Sequence, residues 1–239
     1  NLLLIFYLLE IIIGLTISCY YFIVDFKEKI NYKEILIMLG VLVALLVASM
    51  PTYIPQFLIG YINTNGGIKD FTFYHRLFLY FTILFPVVLY FSLRNKSEEV
   101  IRFALIYISI ATMIGFIVEF DYTSFKEPWT WPFHLCNTAM FIIPLCLIFK
   151  LNRLFYFTYF INVFGALLAM LMPNYDVDTN ILSIRVIRFW YNHIIAFAMP
   201  LLIVALGEFK KANLKKFIWS MIWFLGYFIL VLFLNVYFK

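Results

Sequence analysis

Charged residues are scarce in this chain of 239 residues. Asp, Glu, Lys and Arg make up only 13% of it, whereas 65% is hydrophobic and the mean hydropathy is +0.96. A water-soluble domain is nearer to half apolar and a quarter charged. The shortage of charge therefore excludes a single soluble core and predicts a polytopic membrane protein. The net charge of +5 is small, and basic residues in cytoplasmic loops account for it without a nucleic-acid partner.

Cysteine is also scarce, and the common motifs of soluble enzymes are missing from the sequence. The three cysteines, Cys19, Cys136 and Cys146, form no Cys-x-x-Cys pair, so neither a disulfide framework nor a zinc site is indicated. No Gly-Lys-Ser/Thr phosphate loop, Gly-x-Ser-x-Gly elbow, His-x-x-x-His or His-x-x-Glu spacing occurs. We therefore predict no metal and no cofactor.

Long apolar runs fill most of the chain and predict eight transmembrane helices. A span needs roughly 20 apolar residues at about 1.5 Å of rise each. The predicted spans are residues 2–24, 35–58, 73–93, 100–120, 132–149, 154–172, 184–206 and 217–238. Pro51 and Pro55 bend or end the second span. The predicted fold is an all-α transmembrane bundle, with a two-helix N-terminal addition in residues 1–62 and a six-helix core in residues 63–239.

The basic residues divide unevenly between the two ends of these spans. One end has Lys27, Lys29, Lys33, Arg94, Lys96, Arg102, Lys150, Arg153, Lys210, Lys211, Lys215 and Lys216. The other end has Lys69, Arg76, Lys126, Arg185, Arg188 and Lys239. Because cytoplasmic loops carry the excess of Lys and Arg, the first end is predicted to be cytoplasmic. Both termini then face outward, and all three histidines gather in the outer half of a multi-pass protein of the cell membrane.

One polar stretch, residues 127–137, interrupts the apolar pattern and predicts the beginning of the fifth span. Pro132 suits the first helical turn, and Thr130 is a candidate N-cap. His134 and Cys136 then fall in the first turn, where the helix dipole favours a thiolate. An ionisable pair at that depth predicts a functional site.

Cys136 is the candidate nucleophile, and His193 is the candidate general base. His134 is only two residues from Cys136, so their side chains diverge by roughly 200° on a helix. His193 lies early in the seventh span and approaches from another helix. His134 is then predicted to orient substrate, to stabilise an oxyanion or to bind a lipid headgroup. The alternatives are that Cys136 is a buried and inert core residue and that His193 is a hydrogen-bonded structural histidine.

Five further polar residues are candidate substrate ligands: Arg185, Arg188, Asn192, His75 and Glu119. The two arginines share a helix face and predict a clamp on a phosphate or carboxylate, although arginines at this depth also extend to lipid headgroups. The histidine adds an imidazole to the cavity, and the glutamate pairs with an arginine or orients a histidine; both also suit solvated positions at the interface. In the sixth span, Asn162 and Gly165 allow close helix packing or a polar contact, and the pattern favours packing.

Three elements, in this order, resemble the YwaF family of bacterial integral membrane proteins. They are Pro-Phe-His-Leu-Cys at residues 132–136, Gly-Ala-Leu-Leu at residues 165–168 followed by Met-Pro-Asn at residues 172–174, and Arg-Phe-Trp-Tyr-Asn-His at residues 188–193. The resemblance runs from about residue 73 to the C-terminus, while Phe133 and the N-terminal addition depart from the pattern. The YwaF family is similar to the animal transmembrane-164 protein, an acyltransferase that moves fatty acyl chains between phospholipids. The resemblance implies a nucleophile at Cys136 and a base at His193, with His134 beside them.

The sequence thus predicts a lipid-directed acyltransferase or thioester-forming hydrolase with an outward-facing cavity. In this interpretation Cys136 attacks an acyl ester, His193 takes and returns the proton, and Arg185 or Arg188 holds the headgroup phosphate. The implied partners are membrane lipids, with a phospholipid as substrate. Two alternatives use the same fold: a non-enzymatic protein that binds or transports a small solute, and a structural subunit of a membrane complex.

Overall fold

The structure, a computed structural model, describes residues 71–119, 133–173 and 184–237, together with Leu9 and Ile12. All regular secondary structure in this described part of the chain is helical. Leu9 and Ile12 are helical as well, but the rest of the first predicted span and all of the second lie outside the described residues. The division into residues 1–62 and 63–239 therefore stays a prediction.

Six helices form the continuous described ranges, and they correspond to the third to eighth predicted spans. They are α1 (Phe73–Leu93), α2 (Glu98–Glu119), α3 (Leu135–Phe149), α4 (Asn152–Leu171), α5 (Ile184–Ala205) and α6 (Leu214–Tyr237). Four of them, α1, α4, α5 and α6, are long and apolar enough to cross a membrane. The prediction of an all-α membrane protein is confirmed, whereas the count of eight spans is not.

Helix α3 is shorter than the predicted span. It has 15 residues, which corresponds to a length of about 22 Å. It begins at Leu135 rather than at Pro132, because His134 has the extended backbone of an N-cap, with φ −63° and ψ 136°. The predicted N-cap, Thr130, lies outside the described residues. Cys136 nevertheless falls in the first turn of the helix, as the sequence predicted.

Helix α5 lies at the centre of the described bundle. It packs against α1, α2, α3 and α4, and 61% of its most apolar 18-residue stretch is buried. Ile195 and Met199 join the main core cluster with residues of α2 and α3, while Trp190 joins a smaller cluster with Met170 of α4. Helix α6 packs mainly on α4, and only 6% of its most apolar 18-residue stretch is buried. It therefore forms one side of the bundle.

Ion pairs connect the helix ends that the sequence assigned to the cytoplasm. Arg102 Nε donates to Glu208 Oε2 at 3.0 Å, and the Glu208 side chain is buried. Glu98 pairs with Arg102 and also lies 3.7 Å from Lys150 Nζ. Gly207, with φ 86°, allows the chain to reverse direction between α5 and α6. These contacts bring the start of α2, the end of α3 and the α5–α6 loop to one end of the bundle.

Candidate functional site

Cys136 lies in the first turn of α3, and its side chain is partly exposed. A Cβ placed on Gly165 of α4 would lie 4.0 Å from the Cys136 sulfur. The sulfur therefore lies near α4, whereas Cys146 is fully buried in the core and Cys19 lies outside the described residues.

Hydrogen bonds from two helices hold the backbone around Cys136. From α6, the Tyr227 hydroxyl donates to the carbonyl oxygen of Phe133. From α4, the Asn162 Nδ2 group donates to the carbonyl oxygen of Leu135 and to Thr138 Oγ1, which lies 3.1 Å away. The Thr138 hydroxyl donates in turn to the Leu135 carbonyl oxygen at 2.6 Å. Helix α4 is thus bonded to the first turn of α3, and α6 is bonded to Phe133, the residue just before the N-cap of α3.

One hydrogen bond ties α5 to the same turn. Asn192 Nδ2 donates to Asn137 Oδ1 at 3.1 Å. Asn137 follows Cys136 in the chain, and Asn192 precedes His193. The structure therefore brings α3 and α5 together at the residues next to the predicted nucleophile and the predicted base. Asn192, predicted as a substrate ligand, here joins the two helices.

His193 is buried, with 8% of its surface exposed. Its Nδ1 atom lies 2.6 Å from the carbonyl oxygen of Phe189, one turn earlier in α5. A carbonyl oxygen only accepts hydrogen bonds, so Nδ1 carries the hydrogen and donates it. The lone pair of the neutral ring then belongs to Nε2. Fixing the tautomer in this way is what prepares a histidine to accept a proton.

His75 occupies a different place, between the start of α1 and the end of α4. The backbone N–H of Phe71 donates to its Nδ1 at 2.7 Å, so Nε2 carries the hydrogen and donates to the Met170 carbonyl oxygen at 2.8 Å. The ring is fully buried and lies 5.6 Å, between centroids, from that of Trp190. Both nitrogens of His75 are engaged in contacts that join α1 to α4. Its predicted contact with substrate stays a prediction.

Of the remaining predicted site residues, His134 and Arg188 are described by the structure, whereas the side chains of the other two are not. His134 is exposed and caps α3 through its backbone, without a hydrogen bond from its ring to the helix. Arg188 is partly buried on α5, one turn before Asn192. The side chains of Arg185 and Glu119 are outside the described part of the chain. Their predicted roles are therefore untested.

Several polar residues that the structure places around Cys136 were not predicted as site residues. Asn137, Thr138 and Tyr227 were not predicted, and for Asn162 helix packing was favoured over a polar contact. Asn162 is fully buried. Since an amide inside a membrane helix needs a partner, its position in an apolar span was the available signal. Among the residues that the structure describes, no group of three His, Cys, Asp or Glu side chains is arranged to hold a metal ion.

Comparison with protein families gives a match over most of the chain. The model of the TMEM164 family matches residues 67–239. Comparisons with curated proteins and with solved structures give no significant match. The family match agrees with the resemblance to the animal transmembrane-164 protein, whereas the finer assignment to the YwaF family stays a prediction.

Proposed function

The chain belongs to the TMEM164 family, and on that premise we propose that it is a membrane enzyme that transfers an acyl chain from a lipid ester through a thioester at Cys136. The elements that resemble the YwaF family imply the same chemistry. The proposed site lies in the outer leaflet of the cell membrane, opposite the end where basic residues are in excess.

The observation that carries the proposal is the hydrogen bond between Asn137 and Asn192. Asn192 Nδ2 donates to Asn137 Oδ1 at 3.1 Å, and this bond joins α3 to α5 at the positions next to Cys136 and His193. A nucleophile and a base on separate helices need such a fixed register, because proton transfer requires hydrogen-bond reach. A general base also needs a free lone pair. The hydrogen bond from His193 Nδ1 to the Phe189 carbonyl oxygen leaves that lone pair on Nε2.

The proposed reaction has two acyl-transfer steps. His193 Nε2 accepts the Cys136 thiol proton while the sulfur attacks the acyl carbonyl carbon. The ester C–O bond then breaks, the departing alcohol oxygen takes that proton, and a lysolipid and an acyl thioester remain. In the second step His193 accepts a proton from a lysolipid hydroxyl or from water, whose oxygen attacks the thioester. The C–S bond breaks and the sulfur regains the proton.

Charge that develops on the carbonyl oxygen needs a donor close to the sulfur. The backbone N–H of Cys136 lies in the first turn of α3, where N–H groups have no acceptor within the helix. Backbone amides at the start of a helix are suitable donors for an oxyanion. Arg188, partly buried one turn before Asn192 on α5, is the described candidate for holding a headgroup phosphate.

The depth of Cys136 favours a lipid substrate. The helical rise places it about 21 Å along α3 from Lys150, which is the C-cap of that helix. The hydrocarbon core of a bilayer is about 30 Å thick. If Lys150 lies at the cytoplasmic surface, the sulfur lies inside the outer leaflet, where an acyl ester reaches it more readily than a soluble substrate does.

The test is acyl transfer by purified protein in vesicles that contain a labelled phospholipid and an unlabelled lysophospholipid. Cys136→Ala is expected to abolish both transfer and the labelled thioester on the protein. His193→Gln is expected to lower the rate about 10²- to 10⁴-fold, the usual contribution of a general base.

Cys146→Ala is the matched control, because Cys146 is in the same helix but fully buried in the core. This variant is expected to transfer acyl chains at the rate of the unmodified protein. Undiminished transfer by the Cys136→Ala protein would disprove the thioester route. A protein that only binds a small solute would form no labelled thioester in any variant.

A further inference from the structure

Helix α4 contains a π-helical segment at the level of the proposed site. Residues Thr158–Asn162 form this segment, and regular α-helix precedes and follows it. A π-helical turn is rare and occurs frequently at functional sites. It ends at Asn162, which is fully buried and points at the first turn of α3.

Asn162 contacts the residues on both sides of Cys136. Its Nδ2 group donates to the carbonyl oxygen of Leu135, the residue before Cys136, and to Thr138 Oγ1, two residues after it. The Thr138 hydroxyl completes the triangle by donating to the Leu135 carbonyl oxygen at 2.6 Å. The Asn162 side chain thus fixes both the position of the first turn of α3 along the helix axis and its rotation about that axis.

Tyr227 holds the same segment from α6. Its hydroxyl donates to the carbonyl oxygen of Phe133, immediately before the N-cap His134. Its ring packs against Phe157 of α4, with 6.0 Å between centroids. The backbone that leads into α3 is therefore bonded to two helices, neither of which carries the proposed base.

We propose that Asn162 and Tyr227 are positioning residues that hold the first turn of α3 and so aim the Cys136 sulfur for attack. This inference rests on the proposed function, but it concerns residues that neither the sequence nor the proposed mechanism assigned to the site. Neither residue touches the reacting atoms. Both act through the backbone on either side of His134.

Simple packing does not require an amide at position 162. Among the described residues, the Asn162 Oδ1 atom is buried and has no hydrogen-bond partner. Such an atom lowers stability, and leucine, of similar size, would fill the position without that cost. The amide is explained by what its Nδ2 group holds.

The experiment compares Asn162→Leu and Tyr227→Phe with Thr158→Val. Thr158 lies in the same π-helical segment and is equally buried, but its hydroxyl has no partner among the described residues. Valine keeps its shape, so this control repeats the loss of a buried polar atom without loosening α3. All three are made in a Cys19→Ala, Cys146→Ala background, so that iodoacetamide reports on Cys136 alone.

Two measurements are made on each variant: acyl-transfer kinetics, which give kcat and KM, and the alkylation rate of Cys136 at one fixed pH. Asn162→Leu is expected to lower kcat about 10- to 100-fold while KM is unchanged, because misplacing a reacting group by about 1 Å has that effect. Tyr227→Phe is expected to have a smaller effect in the same direction. Both are expected to change the alkylation rate, and Thr158→Val is not. Tyr227→Phe keeps the inference testable if Asn162→Leu fails to fold.

Two results would overturn the inference. One is unchanged kcat and alkylation in both Asn162→Leu and Tyr227→Phe, in which case the proposed acyl transfer still stands. The other is an equal loss in all three variants, which would reduce both residues to packing. If the unmodified protein transfers no acyl chain, the proposed function fails instead, and the alkylation rates still decide whether these residues position Cys136.

Discussion

Helices α5 and α6 are similar in length, with 22 and 24 residues, yet they have opposite places in the bundle. The buried share of the most apolar stretch is 61% in α5 and 6% in α6. The buried helix carries Arg188, Asn192 and His193, whereas the peripheral one presents Trp219 and Trp223 outward. In a membrane the apolar faces meet lipid and the polar groups must find partners inside the protein. The more polar of two spans is therefore the one at the centre.

The largest expected difference concerns tryptophan. Trp190 of α5 is 1% exposed and stacks on Phe78 with 4.8 Å between ring centroids, whereas Trp223 of α6 is 53% exposed. Trp190→Ala is expected to lower the free energy of unfolding by about 3–5 kcal/mol, the usual cost of removing a buried aromatic side chain. Trp223→Ala is expected to change it by no more than about 0.5 kcal/mol. Thermal unfolding in detergent measures both, and equal losses would remove the distinction between the two helices.

A smaller difference is expected when small residues are enlarged. Ala196 of α5 is fully buried, whereas a Cβ on Gly226 of α6 would have no neighbour within 4 Å among the described atoms. Ala196→Leu is expected to destabilise the protein by about 1–3 kcal/mol through overpacking. Gly226→Leu is expected to leave stability unchanged or to raise it slightly, because glycine is a poor helix former.

The same unfolding measurement checks this pair, with Gly226→Ala as a control for the helix propensity of position 226. Strong destabilisation by Gly226→Leu would mean that α6 is covered by protein and not by lipid. Tolerance of Ala196→Leu would mean that the centre of the bundle is loosely packed.

The smallest expected effect lies at the contact between α3 and α4. A Cβ on Gly165 would lie 3.3 Å from Leu135 Cδ2 and 4.0 Å from the Cys136 sulfur. Gly165→Ala therefore requires Leu135 to move by a few tenths of an ångström, and the expected cost is about 1 kcal/mol, at the low end of overpacking. Alkylation of Cys136 by iodoacetamide is expected to slow, because the new methyl group shields the sulfur. If Gly165→Ala and Gly226→Ala leave alkylation equally unchanged, Gly165 does not border the thiol.

The sequence predicted the helices well and their ends less well. Helix α1 has the predicted bounds, and α5 begins at the predicted residue 184 and ends one residue early. Both follow from runs of apolar residues long enough to cross a bilayer. The start of α3 was wrong by three residues, since Pro132 suggested a helical first turn and the cap lies at His134. Proline favours a helix start but does not fix it, because the tertiary hydrogen bonds to Phe133 and Leu135 also act there.

The candidate site was predictable only in part. That Cys136 lies in the first turn of α3 and that His193 lies in the first half of α5 followed from position along the spans. The engagement of both His75 nitrogens did not, because its partner Met170 is far away in the chain. For Asn162 packing was favoured over a polar contact, because nothing in the pattern of α4 identifies Leu135 and Thr138 as its partners.

The sequence by itself determined that the described part of the chain forms apolar helices, because a run of about 20 apolar residues in a bilayer satisfies its backbone hydrogen bonds within one helix. Only the tertiary structure decided which helix is central and which polar atoms meet. The reason is physical: hydropathy is a sum over one segment, whereas a hydrogen bond such as that from Asn192 to Asn137 depends on the register of two segments. That register is set by side chains interlocking along the whole length of both helices.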